Sequence, residues 1–280
     1  MTALRPDRSS PTAERLSESF PIEEPEMAPL FSIVTITYQN LHGLEETVES
    51  VRRQTFRDFE HIVVDGGSTD GTREWLEQEF DGHWVSERDR GRYHGMNKGA
   101  DMASGEYLWF LHAGDAFRDC SVLVRVAEAV ASRPEWVYGL ARVVDPDKRL
   151  LGTLGFAPFS MFNFAILNHA LPHQATVIRR DLFQRLGGYD ESVPVAADQL
   201  FMLRAAMIAP PVAMADFLCD FDSTGVSAGR SWWTDYREAE KNRRQMEHPI
   251  TRWRTLDTVL SFGYALARQV ARAGRAAVTS

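Results

Sequence analysis

Cysteine is scarce in this chain of 280 residues: Cys120 and Cys219 lie far apart and match no metal or redox spacing. Both are read as reduced and structural, which sets aside a disulfide framework. Long apolar runs are also missing. No uncharged stretch approaches the roughly 20 residues that span a bilayer. The N-terminus has no apolar signal-peptide core, so the chain is expected to stay in the cytosol. Bases are outnumbered, 31 Lys and Arg against 39 Asp and Glu, for a net charge of −8. That balance speaks against a general nucleic-acid partner. No strand-like run is followed by Gly-x-Gly-x-x-Gly, which disfavours a dinucleotide oxidoreductase. There is no internal repeat.

What is present is ordinary for a globular protein: 44% hydrophobic and 25% charged residues, enough for one large α/β domain or two small ones. Residues 1–28 are rich in Pro, Ser, Glu and Arg and are expected to form a disordered tail, since they cannot bury enough apolar area to offset ordering. Residues 31–37 form a β-branched run suited to a parallel sheet buried on both faces. Leu44, Val48 and Val51 recur at helical spacing and place an amphipathic helix over 43–54. Strands follow at 61–64, 83–86 and 107–111, with helices at 71–80, capped by Thr69 or Asp70, and at 91–102, where Tyr93, Met96, Ala100 and Ala103 share a face. Strand–helix alternation of this kind means βαβ units and a parallel central sheet. Later, 119–131 reads as helix, 136–144 as extended, 152–172 as loop with short helix and 173–180 as strand. A turn at 187–190 precedes a helix over 198–207 with Leu200, Leu203 and Met207 on one face.

Residues 232–273 are helical and richer in base, and Trp253, Leu256, Leu260, Tyr264, Ala267 and Ala271 fall on one face beside Arg254, Arg268, Arg272 and Arg275. Two readings stand for this segment: a helix packed on the domain, or one lying on an anionic membrane surface.

Three polar clusters end apolar runs: Asp65-Gly66-Gly67-Ser68-Thr69-Asp70-Gly71-Thr72, Ser86 to Gly99, and His112-Ala113-Gly114-Asp115. Ligands of open α/β sheets bind at the carboxyl ends of strands, so the three suggest one site built from three loops. Asp65 with its two glycines offers a carboxylate beside a backbone that a flat ligand can approach, or it caps its own turn. Asp89 is an N-cap or a ligand contact, and the two can coexist. His112 and Asp115 put an imidazole and a carboxylate in one tight loop.

In this order the motifs resemble the inverting family 2 glycosyltransferases of GT-A fold, over roughly residues 31–225 and most of all the bacterial members acting on exopolysaccharides and envelope glycolipids. The resemblance implies an α/β/α nucleotide-binding sandwich with a mostly parallel sheet at 29–228 and a C-terminal helical extension at 229–280. It implies donor contacts from Thr37, Tyr38, Asn40, Asp65, Asp89, Asn97, Lys98 and His112, with Asp65 on the nucleobase. It places Asp115 at the metal position, His173 and Gln174 on the acceptor side, and Asp198 as the general base that takes the acceptor proton. The implied partners are a nucleotide-diphosphate sugar, a saccharide or lipid-linked acceptor, and Mg²⁺ or Mn²⁺.

There are departures. His112 stands where the family commonly has Asp or Asn, and Gly114 where it has Asp; His94 replaces an Asp and Arg92 an aliphatic residue. Metal use therefore competes with an account in which Arg92 and His94 supply fixed positive charge. An inactive nucleotide-sugar-binding module is the alternative function. For Asp198 the competing reading is a helix cap and nothing more.

Overall fold

The computed structural model describes residues 28–223 and 231–279, with side chains described as far as Ala271. The tail expected over 1–28 therefore lies almost wholly outside the described residues. β1 (Phe31–Thr37), β2 (Phe59–Asp65), β3 (His83–Ser86) and β4 (Tyr107–Phe110) run parallel in the order β3-β2-β1-β4. Crossovers α1 (Leu41–Arg52), α2 (Thr72–Glu79) and α3 (Arg92–Met102) connect them. These four strands all end at the same edge, where residues 37–40, 65–71, 86–91 and 111–115 meet.

The sheet then continues with antiparallel joins. β8 (Thr176–Arg179) pairs antiparallel with β4, and β6 (Trp136–Val144) antiparallel with β8. β9 (Val212–Asp222) returns parallel to β6, and two shorter strands, β5 (Ala116–Phe117) and β7 (Leu150–Leu154), border β9 and β6. α4 (Val122–Val130), α5 (Arg180–Arg185) and α6 (Ala197–Ile208) cover the faces; α7 (Trp232–Arg244) and α8 (Arg254–Thr279) follow.

Alternation along the central strands divides the core into two layers. Leu108 and Phe110 of β4 face one layer with Met96, Trp136 and Leu200, while Tyr107 and Trp109 face the other with Phe31, Val122 and Val126. Leu44, Val48 and Val51 of α1 are all buried, as their spacing demands, each worth about 1.5–3 kcal/mol of removed apolar surface. Trp109 shows how packing reaches the site: its buried ring donates Nε1–H to the Gln174 carbonyl at 2.7 Å, pinning the short 3₁₀ turn that carries His173.

Several local expectations need correction. Residues 173–180 are not one strand: the chain makes a 3₁₀ turn at His173–Ala175, four strand residues, and then α5. Met207 is exposed although Leu200 and Leu203 are buried, because α6 overhangs the core at its last turn. The base-rich segment is two helices, broken around His248-Pro249. In α8 the buried stripe is Asp257 and Ser261, with Asp257 accepting from the Ile250 and Thr251 amides at 2.8 Å each. Tyr264 turns inward to His169 (2.7 Å), while Trp253, Val259, Phe262, Leu266 and Val270 face outward. Arg254 donates back to the Met246 and Glu247 carbonyls, and Arg268 lies over Tyr264. The side chains of Arg272 and Arg275 lie outside the described residues.

Candidate functional site

The strand ends open on a cavity of about 1500 Å³. Thr37, Tyr38, Asn40, Asp89, His112, Asp115, His173, Gln174 and Asp198 all line it, so nine of the twelve residues singled out from the sequence are brought together. Asp65, Asn97 and Lys98 are not.

Asp65 is fully buried, and both its oxygens are occupied from within the protein. Ser68 donates its amide (3.1 Å) and hydroxyl (2.5 Å), and the Ser86 hydroxyl donates at 2.6 Å. Its carboxylate therefore shapes the loop and ties β2 to β3. What the loop offers the cavity is backbone: a side chain on Gly66 would sit 3.3 Å from the Tyr38 ring and 3.5 Å from Asp89 Oδ2. Asp70 stabilises both flanking helices, accepting from Leu41 N at 3.0 Å and from the Thr72 hydroxyl at 2.6 Å. The N-cap residue of α2 is Gly71, which has no side chain to cap with.

Asn97 exchanges two hydrogen bonds with the Tyr189 backbone at 2.9 Å each, which pins the turn at 187–190. Lys98 holds Asp89 Oδ1 at 2.7 Å and Glu87 at 2.9 Å, and His94 Nδ1 lies 3.0 Å from the same Asp89 oxygen. Lys98 thus neutralises this carboxylate and, with His94, orients it from behind, leaving Oδ2 toward Gly66. His94 does not line the cavity. Asp89 does not cap α3 either; the N-cap residue is Gly91, with φ +143°. The first turn of α3 has no side-chain cap, and Gly91, Arg92 and Tyr93 line the cavity. Uncapped N–H groups beside an arginine make an anion-binding corner.

The loop after β4 is held by α1. The Thr47 hydroxyl donates to the Asp115 carbonyl at 2.7 Å and accepts from Gly114 N at 3.0 Å, while Asn40 Nδ2 reaches the Ala113 carbonyl at 3.2 Å. Asp115 is 3% exposed, and Asp222 N donates to its Oδ1 at 3.0 Å. Burial lifts its pKa to about 7; the Asp222 amide, His173 and Gln174 oppose the shift and the Asp222 charge adds to it. Asp222, at the end of β9, was missed by sequence reasoning. Its carboxylate lies where a side chain at position 114 would project: a Cβ on Gly114 would be 3.0 Å from Asp222 Oδ2. The only prior hint was an acid at the end of a strand-like run. Among the described residues no three His, Cys, Asp or Glu converge as a metal cage. Two carboxylates do converge, and two can suffice for a hard cation that also takes phosphate oxygens.

His112 faces His173 rather than Asp115. Their Nε2 atoms are 3.4 Å apart and their rings 4.7 Å. Burial, then the neighbouring His173 and Arg92, push its pKa well below the usual histidine range. His173 Nδ1 lies 3.2 Å from Asp198 Oδ2, whose side chain is 13% exposed. Tyr93 donates its hydroxyl to Asp198 Oδ1 at 2.9 Å, and Gln199 Nε2 reaches Oδ2 at 3.2 Å. Burial alone would raise the Asp198 pKa, but His173, Gln199 and Tyr93 outweigh it and hold the group well below the usual carboxylate range. Asp198 is in the first turn of α6, where the helix dipole favours its charge, yet it does not cap the helix. The N-cap residue is Ala196, left-handed at φ +64°, and the Tyr93 hydroxyl accepts from Ala197 N at 3.1 Å.

The far wall of the cavity comes from the C-terminal helices and the segment before β8. Trp232, Tyr236, Asn242, Arg243, Tyr264 and Gln269 lie along it. None of these was singled out as a site residue, because on a helical wheel they read as core or solvated positions.

The family model described as glycosyl transferase family 2 matches residues 32–187. An uncharacterized glycosyltransferase of Mycobacterium tuberculosis is 41% identical over 210 residues, covering 72% of this chain and 79% of that protein. A PGL/p-HBAD biosynthesis glycosyltransferase of Mycobacterium bovis is 33% identical over 186 residues, covering 63% and 70%. Among solved structures, S. aureus TarS 1–349 in complex with UDP-GlcNAc has a TM-score of 0.63 at 18% identity, over 85% of this chain and 71% of that one. The mannosyltransferase PcManGT from Pyrobaculum calidifontis, in complex with GDP-Man and Mn²⁺, has a TM-score of 0.60 at 20% identity, over 90% and 77%. The chain spans 41% of a longer TarS chain. The fold expected from the motifs is the fold these structures share.

Proposed function

The chain belongs to glycosyl transferase family 2, and from that premise we propose that it moves a sugar from a nucleoside diphosphate to an acceptor hydroxyl with inversion. The observation that carries the reading is the convergence of Asp89, Asp115, His173 and Asp198, from four separate elements, on one cavity. A base fits the cradle of Tyr38, Gly66 and Gly67, with Asp89 Oδ2 accepting from base or ribose. Thr37, Asn40 and His112 complete the donor wall. The diphosphate faces the uncapped start of α3 and Arg92, which stabilise the charge it gains on leaving.

Asp115 and Asp222 would hold a divalent cation, with the diphosphate supplying further oxygens. A cation there would withdraw charge from the leaving group. His173 and Gln174 border the acceptor side. Asp198 takes the proton of the attacking hydroxyl as the new bond to the anomeric carbon forms. The bond from that carbon to the diphosphate oxygen breaks on the opposite face, and the diphosphate departs with the electron pair. His173 and Tyr93 keep Asp198 ionised and aimed. The catalytic unit comprises 29–228, with the helices of 229–280 as an extension that walls the cavity.

No helix among the described residues is long and apolar enough to cross a membrane. The outward face of α8 supports a peripheral role instead: Val259, Leu266 and Val270 are 66%, 44% and 65% exposed in one apolar band. An anionic membrane surface covers that band and brings a lipid-linked acceptor to the cavity, which Tyr264 and Gln269 of the same helix line. A thermal-shift screen against nucleoside diphosphate sugars tests the donor reading. A true donor at 100 times its Kd stabilises by about 2.7 kcal/mol, and a screen in which no nucleoside diphosphate or its sugar moves the transition refutes it.

A further inference from the structure

The segment that presents Asp198 is strained. Ala196 lies in the left-handed region, at φ +64° and ψ +24°, which a Cβ disfavours and which glycine occupies freely. An alanine persists there only when its surroundings over-determine it, and such residues gather at functional sites. As the N-cap residue of α6, Ala196 supplies no side-chain hydrogen bond of its own.

The restraint comes from the C-terminal extension. Asn242 of α7, 46 residues on and 5% exposed, donates Nδ2 to the Ala196 carbonyl at 3.2 Å. The same carbonyl accepts from Leu200 N at 3.0 Å, the bond that opens α6. Relaxing Ala196 toward an ordinary conformation would swing this carbonyl away and break both bonds. At the other end of the same peptide, Ala197 N donates to the Tyr93 hydroxyl at 3.1 Å, and that hydroxyl donates to Asp198 Oδ1 at 2.9 Å. One peptide is thus gripped by its C=O and by its N–H, immediately before the carboxylate that both grips locate.

Asn242 is an unfavourable choice for stability alone. Its Oδ1 is buried and has no hydrogen-bond partner among the described residues. A buried acceptor left unpaired opposes folding, and a leucine of similar size would avoid it. The helix that carries Asn242 is braced on the domain by the next residue: Arg243 Nη1 donates to the Ala165 carbonyl at 2.8 Å, and Nη2 pairs with Glu240. Glu240 in turn accepts from Thr258 of α8 at 2.9 Å.

We propose that Asn242 is a positioning residue for the reaction: from the C-terminal extension it clamps the left-handed Ala196 and so fixes where Asp198 meets the acceptor hydroxyl. The extension then acts on the base and does more than wall the cavity. This inference rests on the reading of Asp198 as the general base.

The test compares Asn242→Leu, Ala196→Gly and the double variant in the full chain, with two readouts. Release of nucleoside diphosphate from UDP-, dTDP- and GDP-sugars, with water as acceptor, gives kcat and the donor KM. Amide hydrogen exchange over 195–201 needs no substrate. Asn242→Leu should lower kcat at least about tenfold, since misplacing a reacting group by about 1 Å can cost about 100-fold, and should leave the donor KM unchanged. Its melting temperature should stay near wild type, because removing the orphaned oxygen offsets the lost bond, while exchange over 195–201 quickens. Adding Ala196→Gly should bring kcat back to within about threefold of wild type, because glycine holds the left-handed conformation without a clamp. Asn242→Ala removes the same donor without added bulk and serves if the leucine variant does not fold. Unchanged exchange, an unchanged kcat where Asp198→Asn is inactive, or no rescue by glycine overturns the inference and leaves the base reading standing. Turnover by Asp198→Asn within a few-fold of wild type overturns the base reading itself.

Discussion

Replacing Asp198 by Asn keeps the shape of the side chain and removes its charge and basicity, and its consequences separate chemistry from architecture. In the folded protein the carboxylate accepts from Tyr93, Gln199 and His173. An amide can accept at one position only, so at least one of these donors would face an NH₂ group. Losing charge-assisted hydrogen bonds at a mostly buried site costs about 3 kcal/mol, and at 2–4 °C per kcal/mol for a chain of this size the melting temperature should fall by roughly 6–12 °C. The pH dependence has a definite sign. Because the folded-state pKa is depressed, the stabilisation is complete above the unfolded carboxylate pKa of about 4 and is lost as pH falls through the folded value. The gap between wild type and variant should be constant from neutral pH upward and should close in acid. Nucleotide affinity should stay near wild type, since Asp198 is proposed to act on the acceptor hydroxyl and not on the nucleotide. Turnover should drop at least about 100-fold, the low end of general-base effects. A variant with the lowered melting temperature but turnover within a few-fold of wild type would show that Asp198 is architectural and that the base lies elsewhere.

Asp115 carries the opposite sign: with a folded pKa of about 7, the native state binds the extra proton between about pH 4 and 7, and stability falls as pH rises through that window. In EDTA, Asp115→Asn should match wild type at pH 4 and exceed it at pH 8, by at most about 4 kcal/mol. Mn²⁺ with nucleotide should stabilise wild type at pH 8 and not the variant; full transferase activity of Asp115→Ala in EDTA would refute the cation reading. Gly95→Ala puts a methyl 2.7 Å from Asp89 Oδ2; calorimetry should show nucleotide affinity down about tenfold, equivalent to 1.4 kcal/mol, and an unchanged Kd would remove Asp89 from the donor site. Sedimentation with anionic vesicles should recover the protein, and Val259→Ser with Leu266→Ser should abolish it, since the outward face of α8 is apolar and Arg254 and Arg268, though exposed, are engaged by the Met246 carbonyl and the Tyr264 ring. Binding that survives both serines would refute that face as the contact.

Much of the nucleotide-binding half was legible along the chain. A β-branched run such as 31–37 and a helical repeat such as Leu44, Val48 and Val51 each state their own burial, because a strand or a helix face is set by spacing of two or of three to four residues. Strand ends followed by Asp89, His112 and Asp115 announced a site, since parallel strands deliver their carboxyl ends to one edge. What spacing could not say is where a polar side chain finds its partner. Asp65 lies in the signature's leading position, yet Ser86, twenty-one residues on, draws its carboxylate inward. Asp222 reaches the Gly114 position because β9 ends beside the loop after β4, a neighbourhood made by strand pairing over more than a hundred residues. Tyr264, read as part of an apolar face, instead turns to His169, and Asn242 to Ala196. Spacing along the chain decides which face of an element is apolar; only the packing of distant elements decides which polar atoms are satisfied, which are left open, and hence where a substrate can be held.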